Sequence, residues 1–298
     1  MAFFTVITPT FNRPDLLNRA VESVLNQEFK DFEYLIVNNY SLSIANKWND
    51  SRIRILDELK PGANNARNQG INQARGKFIC FLDDDDEYYS NHLLEMHRLI
   101  ISQNEKVALY RTLTKIESEQ GEIKIQPYNI KPIHYSNLDH IYTTLIVMNC
   151  VCCHHKILHK LTFKSSIPIA QDYHLWTRIV SEFPLIESPE VTTIYHQTPN
   201  STSSTSLSNY FKYIEVFSNL FQDKLIQNQL KKELRNDRLF KYHYWILMDF
   251  GNQLSFIKFL KVLLSAIKLK PTFVFSKDFL KSIFLFLKPA KQLTLCVV

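Results

Sequence analysis

Apolar positions in the first part of the chain follow two rhythms. Residues 3–8 (FFTVIT), 32–38 (FEYLIVN), 53–56 (IRIL) and 78–82 (FICFL) are short apolar-rich runs that stop on polar groups. Runs of this kind predict strands buried on both faces of a parallel sheet. Between them the spacing turns helical. Leu16, Leu17, Ala20, Val21, Val24 and Leu25 share one stripe, and Asp15 supplies an N-cap or first-turn acid. Residues 62–74 predict a second helix carrying Asn65, Arg67 and Asn68, closed by Gly76. Residues 91–102 predict a third. Strand, helix and strand within about 35 residues make a βαβ unit with a right-handed crossover. The expected fold class is α/β, a mixed, mainly parallel sheet flanked by helices.

Further on, residues 107–130 alternate and predict two strands around Gly121. Residues 145–155 (LIVMNCVCCHH) read as a strand leading into a helix. Residues 168–180 (PIAQDYHLWTRIV) open an amphipathic helix with Asp172 at its start. Residues 191–196 (VTTIYH) are a last strand, and 199–208 (PNSTSSTSLS) a flexible polar loop. The predicted body therefore spans 1–208, and 209–298 form a separate helical region.

Charge changes the view of that second region. The net charge of +6 conceals 20 basic and 23 acidic side chains in residues 1–210 against 15 basic and 6 acidic in 211–298. Phe256, Leu260, Leu263, Leu264 and Ile267 form one helical face there, and Lys258, Lys261, Ser265 and Lys268 the other. Beyond Pro271, Lys277, Lys281 and Lys288 line a stripe on an otherwise apolar helix. The pattern suits an interfacial helix on an anionic membrane surface. It suits equally a helical subdomain that packs on the body or forms a homodimer. No nucleic-acid reader motif is present, so nucleic acid is not an expected partner.

No run reaches about 18 apolar residues, so no spanning helix is predicted. The N-terminus lacks the basic start and small-residue cleavage site of a signal peptide. Cys80, Cys150, Cys152, Cys153 and Cys296 do not form a disulfide framework. The expectation is a cytoplasmic protein, soluble or peripheral on the inner membrane face. The Cys150, Cys152, Cys153, His154, His155 and His159 cluster lacks the spacing of a zinc site, and packing explains it better.

Candidate chemistry concentrates where the fourth strand ends. Residues 83–87 (DDDDE) follow an apolar run directly and cannot continue into a core as unpaired charge. In an open α/β sheet, ligands bind at the C-terminal strand edge. Hard carboxylate oxygens there favour Mg2+ or Mn2+, usually shared with substrate phosphates. Neither GxGxxG nor GxxxxGK[ST] occurs among the five glycines. Any bound phosphate therefore needs a metal and Arg or Lys for its counter-charge.

Residues 6–13 (VITPTFNR), 17–27 (LNRAVESVLNQ), 62–71 (GANNARNQGI) and 74–76 (ARG), running into 81–86 (FLDDDD), resemble the family 2 glycosyltransferases of GT-A fold. The resemblance covers residues 3–205. It implies inverting transfer of a sugar from a nucleotide diphosphate sugar, UDP-sugar favoured, to a hydroxyl of a glycan or lipid-linked glycan, with Mn2+ or Mg2+ as cofactor. Pro9, Thr10 and Phe11 then belong to the nucleotide pocket, with Phe11 against the base and Asn38 at its edge where relatives carry Asp. Asp85 matches the metal-binding carboxylate. Asp83 and Asp84 help through metal, ribose or sugar, and Arg67 either faces the phosphates or forms a structural ion pair. Asp172 matches the general base, although Gln171 replaces the usual preceding Glu. Trp176, one turn on, either presents its face to an acceptor sugar or packs in the core. Thr198 stands where relatives place a His near the metal, so either His196 substitutes as metal ligand or that contact is absent. The alternative is a catalytically degenerate glycan- or nucleotide-binding protein of the same fold. A nucleotidyltransferase is disfavoured because it needs a Gly-rich, basic phosphate loop.

Overall fold

The computed structural model describes residues 2–40, 44, 48–118, 120–125, 136–144, 146–197 and 206–287. The chain divides into two compact units, Met1–Thr202 and Ser203–Val298. In order, the first unit contains β1 (Phe4–Thr10), α1 (Pro14–Leu25), β2 (Phe32–Asn38), β3 (Ile53–Asp57), α2 (Ala63–Gln73), β4 (Phe78–Phe81) and β5 (Glu87–Tyr88). It continues with α3 (His92–Ser102), β6 (Leu109–Glu117), β7 (Ile123–Ile125), α4 (Asn137–Thr143), β8 (Val151–His154), α5 (His155–Lys160), α6 (Gln171–Val180) and β9 (Leu185–His196).

All seven residues of β1 are buried, as are all seven of β2 and all four of β4. Strands covered on both faces carry no polar alternation, which is why their sequences are nearly continuous apolar runs. The sheet order is β3-β2-β1-β4-β8-β6-β9-β5, with β7 attached to β6. The first four strands are parallel. β8 runs antiparallel between β4 and β6, and β9 returns parallel to β6. Phe4, Val6, Tyr34, Ile36, Phe78 and Cys80 of the sheet pack with Leu17, Ala20, Val21 and Val24 of α1 and with Leu93, Met96 and Ile100 of α3. The apolar stripe read along α1 is thus the face it buries.

Register decides where the chemistry falls. Thr10 lies opposite Asn38, and Asn38 opposite Asp57, so β1, β2 and β3 end level. β4 stops opposite Ile7, and the Leu82 amide still donates to the Ile7 carbonyl at 3.0 Å. Residues 83–86 therefore cross the C-terminal edge beside the end of β1.

Cys80, Cys150, Cys152 and Cys153 are buried and free, with Cys152 opposite Cys80 across the β4–β8 pair. Packing accounts for them, and burial pushes the Cys150 thiol up to about 11. Cys296 lies outside the described residues, as do Thr198 and the polar loop of residues 199–205. Gly121 adopts the left-handed region (φ 77°) in the β6–β7 turn, where the sequence placed it. Gly76 is not the helix cap that was expected. α2 ends at Gln73 with Ala74 extended behind it, and Gly76 is instead pressed against β1, donating its amide to Thr5 Oγ1 at 2.8 Å.

The second unit is helical: α7 (Leu207–Leu220), α8 (Lys224–Gln229), α9 (Lys232–Phe250), α10 (Phe256–Leu269) and α11 (Lys277–Leu287). Tyr242 of α9 stacks on Tyr213 and Phe217 of α7, with centroids at 4.8 and 5.7 Å. Phe259 of α10 stacks on Phe286 of α11 at 4.2 Å. The buried side of α10 is Phe259, Val262, Leu263 and Ala266, rotated from the stripe expected from sequence because α9 and α11 claim it. Among the described residues, no helix is long and apolar enough to cross a membrane.

A Cβ on Gly76 would sit 2.5 Å from the Phe4 carbonyl carbon and 2.6 Å from Thr5 Oγ1. Gly76→Ala is therefore expected to cost about 2–3 kcal/mol as overpacking against β1. The check is the thermal or urea midpoint, and an unchanged midpoint contradicts this role.

Candidate active site

The acidic run is ordered by groups that converge on it from distant parts of the first unit. The Thr10 hydroxyl, at the end of β1, donates to Asp84 Oδ2 at 2.7 Å. Asn12 then takes a left-handed turn (φ 52°), after which Arg13 Nη1 stands 3.3 Å from Asp84 Oδ1 and 3.1 Å from Asp85 Oδ2. Pro14 fixes the first turn of α1 immediately behind. Arg19 of α1 donates to the Asp85 carbonyl at 2.6 Å and lies 3.3 Å from Glu87.

Asp84 and Asp86 are nearly inaccessible. Burial pushes Asp84 up to about 6, opposed by the Thr10 hydrogen bond and Arg13. Asp86 accepts from Asn149 Nδ2 and from the His196 amide, both at 3.0 Å, and burial drives its pKa well above the ordinary carboxylate range. Asp86 is thus an anchor tying the run to β9 and to the turn before β8.

At the nucleotide end, Phe11 is 58% exposed and edge-on to Tyr40, with centroids 5.1 Å apart. Asn38 is buried. Its Nδ2 donates to Asp57 Oδ1 (2.9 Å) and to the Tyr40 carbonyl (3.2 Å), and its Oδ1 accepts from the Tyr40 amide (3.2 Å). The expectation that Asn38 meets a base edge is corrected accordingly: its amide shapes the rim, and the exposed carboxylate beside it is Asp57.

Behind the end of β4, Arg67 forms the structural ion pair. Its buried guanidinium reaches Asp83 Oδ1 at 2.6 Å and Gln171 Oε1 at 2.9 Å, and it lies over the Phe163 ring. This fork ties the end of β4 to the first residue of α6. That helix starts from Ala170 in the left-handed region (φ 53°), which presents Asp172 in its first turn. Asp172 is half-buried and accepts its own neighbour's N–H, from Tyr173, at 2.8 Å. Burial pushes its carboxyl up to about 6. The Tyr173 N–H and Arg67 pull it down, and Asp83 pushes it further up. A carboxylate in that range is matched to accepting a proton near neutral pH.

Two expected site residues do not serve as expected. Trp176 is fully buried, between Phe81 at 6.2 Å and Phe163 at 6.3 Å. It lies on the inward face of α6 and offers no ring face to an acceptor. His196 Nε2 sits 2.7 Å from Glu87 Oε1 and its Nδ1 3.3 Å from Glu117 Oε2. Both ring nitrogens are engaged away from Asp85, so His196 is not its metal partner.

No group of three or more His, Cys, Asp or Glu side chains converges for a metal among the described residues. The donor set nonetheless fits a hard divalent ion. Asp84 and Asp85 aim one oxygen each at the same Arg13 nitrogen, a point that already holds positive charge. Such ions are commonly held by one or two carboxylates, with water and substrate phosphate completing the shell.

Sequence reasoning missed Arg13 and Asn149 as partners of the acids, the anchoring role of Asp86, and the exposed Asp57. Arg13 was legible in residues 6–13, whereas nothing local marks Asn149, 63 positions from Asp86. Arg67→Ala is expected to cost about 2 kcal/mol, less than the 3–5 of a fully buried pair because Asp83 is 31% exposed. The checks are the thermal midpoint and faster amide exchange at the start of α6, and an unchanged exchange pattern there overturns the link.

Residues 5–160 match the family model described as "Glycosyl transferase family 2". The chain is 28% identical over 252 residues to the "Putative colanic acid biosynthesis glycosyl transferase WcaA" of Escherichia coli K12, covering 79% of this chain and 89% of that protein. It is 26% identical over 233 residues to the E. coli "UDP-Glc:alpha-D-GlcNAc-diphosphoundecaprenol beta-1,3-glucosyltransferase WfgD", covering 74% and 87%. Among solved structures, S. aureus TarS in complex with UDP-GlcNAc superposes with a TM-score of 0.63 at 16% identity, covering 92% of this chain and 83% of that one. The mannosyltransferase PcManGT from Pyrobaculum calidifontis, solved with GDP-Man and Mn2+, superposes with a TM-score of 0.57 at 14% identity, covering 96% and 87%. These structural likenesses bear on the fold alone, which is of GT-A type. With more than half its length inside the family model and named transferases matched along most of theirs, the chain belongs to glycosyl transferase family 2 and is a glycosyltransferase.

Proposed function

We propose that this enzyme moves a sugar from a UDP-sugar to a hydroxyl of a lipid-linked glycan, inverting the anomeric centre. The observation that carries the reading is the hydrogen-bonded link between two unlike carboxylate environments. Asp172, half-buried with its pKa near 6, is tied through Gln171, Arg67 and Asp83 to the cation-facing Asp84 and Asp85. WfgD, by its name, takes UDP-glucose and a diphosphoundecaprenol-linked acceptor, and TarS binds UDP-GlcNAc. Both support the choice of donor and acceptor class.

On this reading the exposed Phe11 ring lies against the base, and Asp57 accepts from its edge. Asp85 and Asp84 are the residues that would hold Mn2+ or Mg2+, which would supply positive charge against that developing on the leaving diphosphate. Arg13, bridging that carboxylate pair, is placed to meet a diphosphate oxygen. The acceptor oxygen forms its bond to the anomeric carbon as the bond to the diphosphate breaks, and the electron pair leaves with the nucleotide. The hydroxyl proton passes to an Asp172 carboxylate oxygen. A single displacement from the face opposite the leaving group inverts the centre.

A nucleotide-sugar screen with Mn2+ tests the assignment. Asp85→Ala is expected to weaken metal-dependent donor binding at least about tenfold. Asp172→Asn is expected to keep donor affinity and lose about 10²–10⁴-fold in transfer, the usual worth of a general base. Equal metal-dependent donor affinity in wild type and Asp85→Ala removes the metal assignment, and a retained anomeric configuration removes the single displacement.

The pH profile follows from Asp172. Only the ionised carboxylate accepts a proton, and burial raises its pKa to about 6. Transfer should hold above that pH and fall about tenfold per unit below it. A profile that stays flat down to pH 4 contradicts the role of Asp172.

A further inference from the structure

Helices α10 and α11 carry the same three-part division of their circumference. On α10, Phe259, Val262, Leu263 and Ala266 are buried within the unit. Next around the helix come Phe256, Ile257, Leu260 and Leu264, which remain between 40% and 66% exposed. Beyond them lie the exposed Lys258, Lys261 and Lys268. At 3.6 residues per turn each set takes about a third of the circumference. On α11, Ser282 faces inward, Leu280 and Leu287 are exposed, and Lys277 and Lys281 border them. Phe275, in the turn between the two helices, is 90% exposed. Phe286 joins the helices by its contacts with Phe256 and Phe259.

Packing inside the unit therefore satisfies one apolar set and leaves a second one in water, edged by lysines. The only acid on either helix is Asp278. Lys270 pairs with Asp237 at 3.7 Å, while among the described residues Lys258, Lys261, Lys268, Lys277 and Lys281 have no carboxylate partner. We infer that the exposed apolar stripes of α10 and α11, with their bordering lysines, seat this unit on an anionic lipid bilayer surface.

Charge selects the occupant. Two copies meeting through these stripes would bring five unpaired lysines of each against those of the other, whereas an anionic headgroup layer neutralises them while leucines and phenylalanines enter the acyl boundary. Exposed Leu, Ile and Phe side chains bordered by lysines are the composition that suits a lipid interface. The inference goes beyond the transferase reading and stands whether or not the acceptor is lipid-linked.

The test is co-sedimentation of the full chain, without donor or acceptor, with vesicles of phosphatidylglycerol and phosphatidylcholine and with vesicles of phosphatidylcholine alone. The expected result is binding to the anionic vesicles that weakens as salt is raised, because exposed charges are screened. Each lysine is worth about a fivefold gain in partitioning. Lys258→Glu/Lys261→Glu/Lys268→Glu should therefore lose well over tenfold, and Leu260→Ser/Leu264→Ser should lose binding as well. These positions are exposed, so both variants should keep the wild-type circular dichroism and thermal midpoint. Wild-type protein that stays in the supernatant with both vesicle types overturns the inference. Binding that neither variant weakens also overturns it, as does a dimer in sedimentation equilibrium that Leu260→Ser/Leu264→Ser dissolves while vesicles are ignored. Donor binding, measured separately, shows whether the transferase reading stands regardless.

Discussion

The constraint that shapes the first unit is electrostatic: a strand buried on both faces ends on five consecutive acids. Asp84 and Asp86 are buried, and Asp83 and Asp85 stay closer to solvent. A buried carboxylate is tolerable only with dedicated partners. Asp84 receives the Thr10 hydroxyl and Arg13, and Asp86 receives Asn149 and the His196 amide. These partners come from β1, from the loop before α1, from the turn before β8 and from β9. The need to neutralise the run thus gathers one residue each from widely separated stretches and fixes the edge of the sheet. Asp83 and Asp85 meet the guanidinium groups of Arg67 and Arg13. Their charge stays closer to solvent and to whatever enters the cleft.

Much of this was legible before any coordinates. Strands β1, β2 and β4 announce themselves because complete burial removes polar positions, and the α1 stripe is the face it packs. Asp172 stood out as the acid opening an amphipathic helix. What stayed hidden depends on partners far away in the chain. Trp176 lies on the inward side of α6 because Phe81 and Phe163 wait there. The sequence leaves Arg67 open between phosphate and an ion pair, because one of its partners, Gln171, lies 104 residues on. His196 could not be separated from a metal ligand without knowing that β9 lies beside Glu87 and Glu117. Gly76 fits the commonest local rule, a helix stop, whereas the true demand is contact with β1.

The two units obey different physics. In the first, charge is paired locally and held at partial burial, so its values shift and its geometry is fixed. In the second, aromatic contacts such as Tyr213 with Tyr242 hold the helices together, and most lysines are left to solvent. Helical periodicity alone did not tell which side of α10 the unit would claim, because two apolar sides were available and the neighbours α9 and α11 made the choice.

The Arg67 fork has an architectural consequence. A guanidinium is flat and rigid, and this one grips Asp83 with one tine and Gln171 with the other. The width of the gap between the strand end and the helix bearing Asp172 is thereby set by a single planar group, which serves the two walls as a fixed gauge.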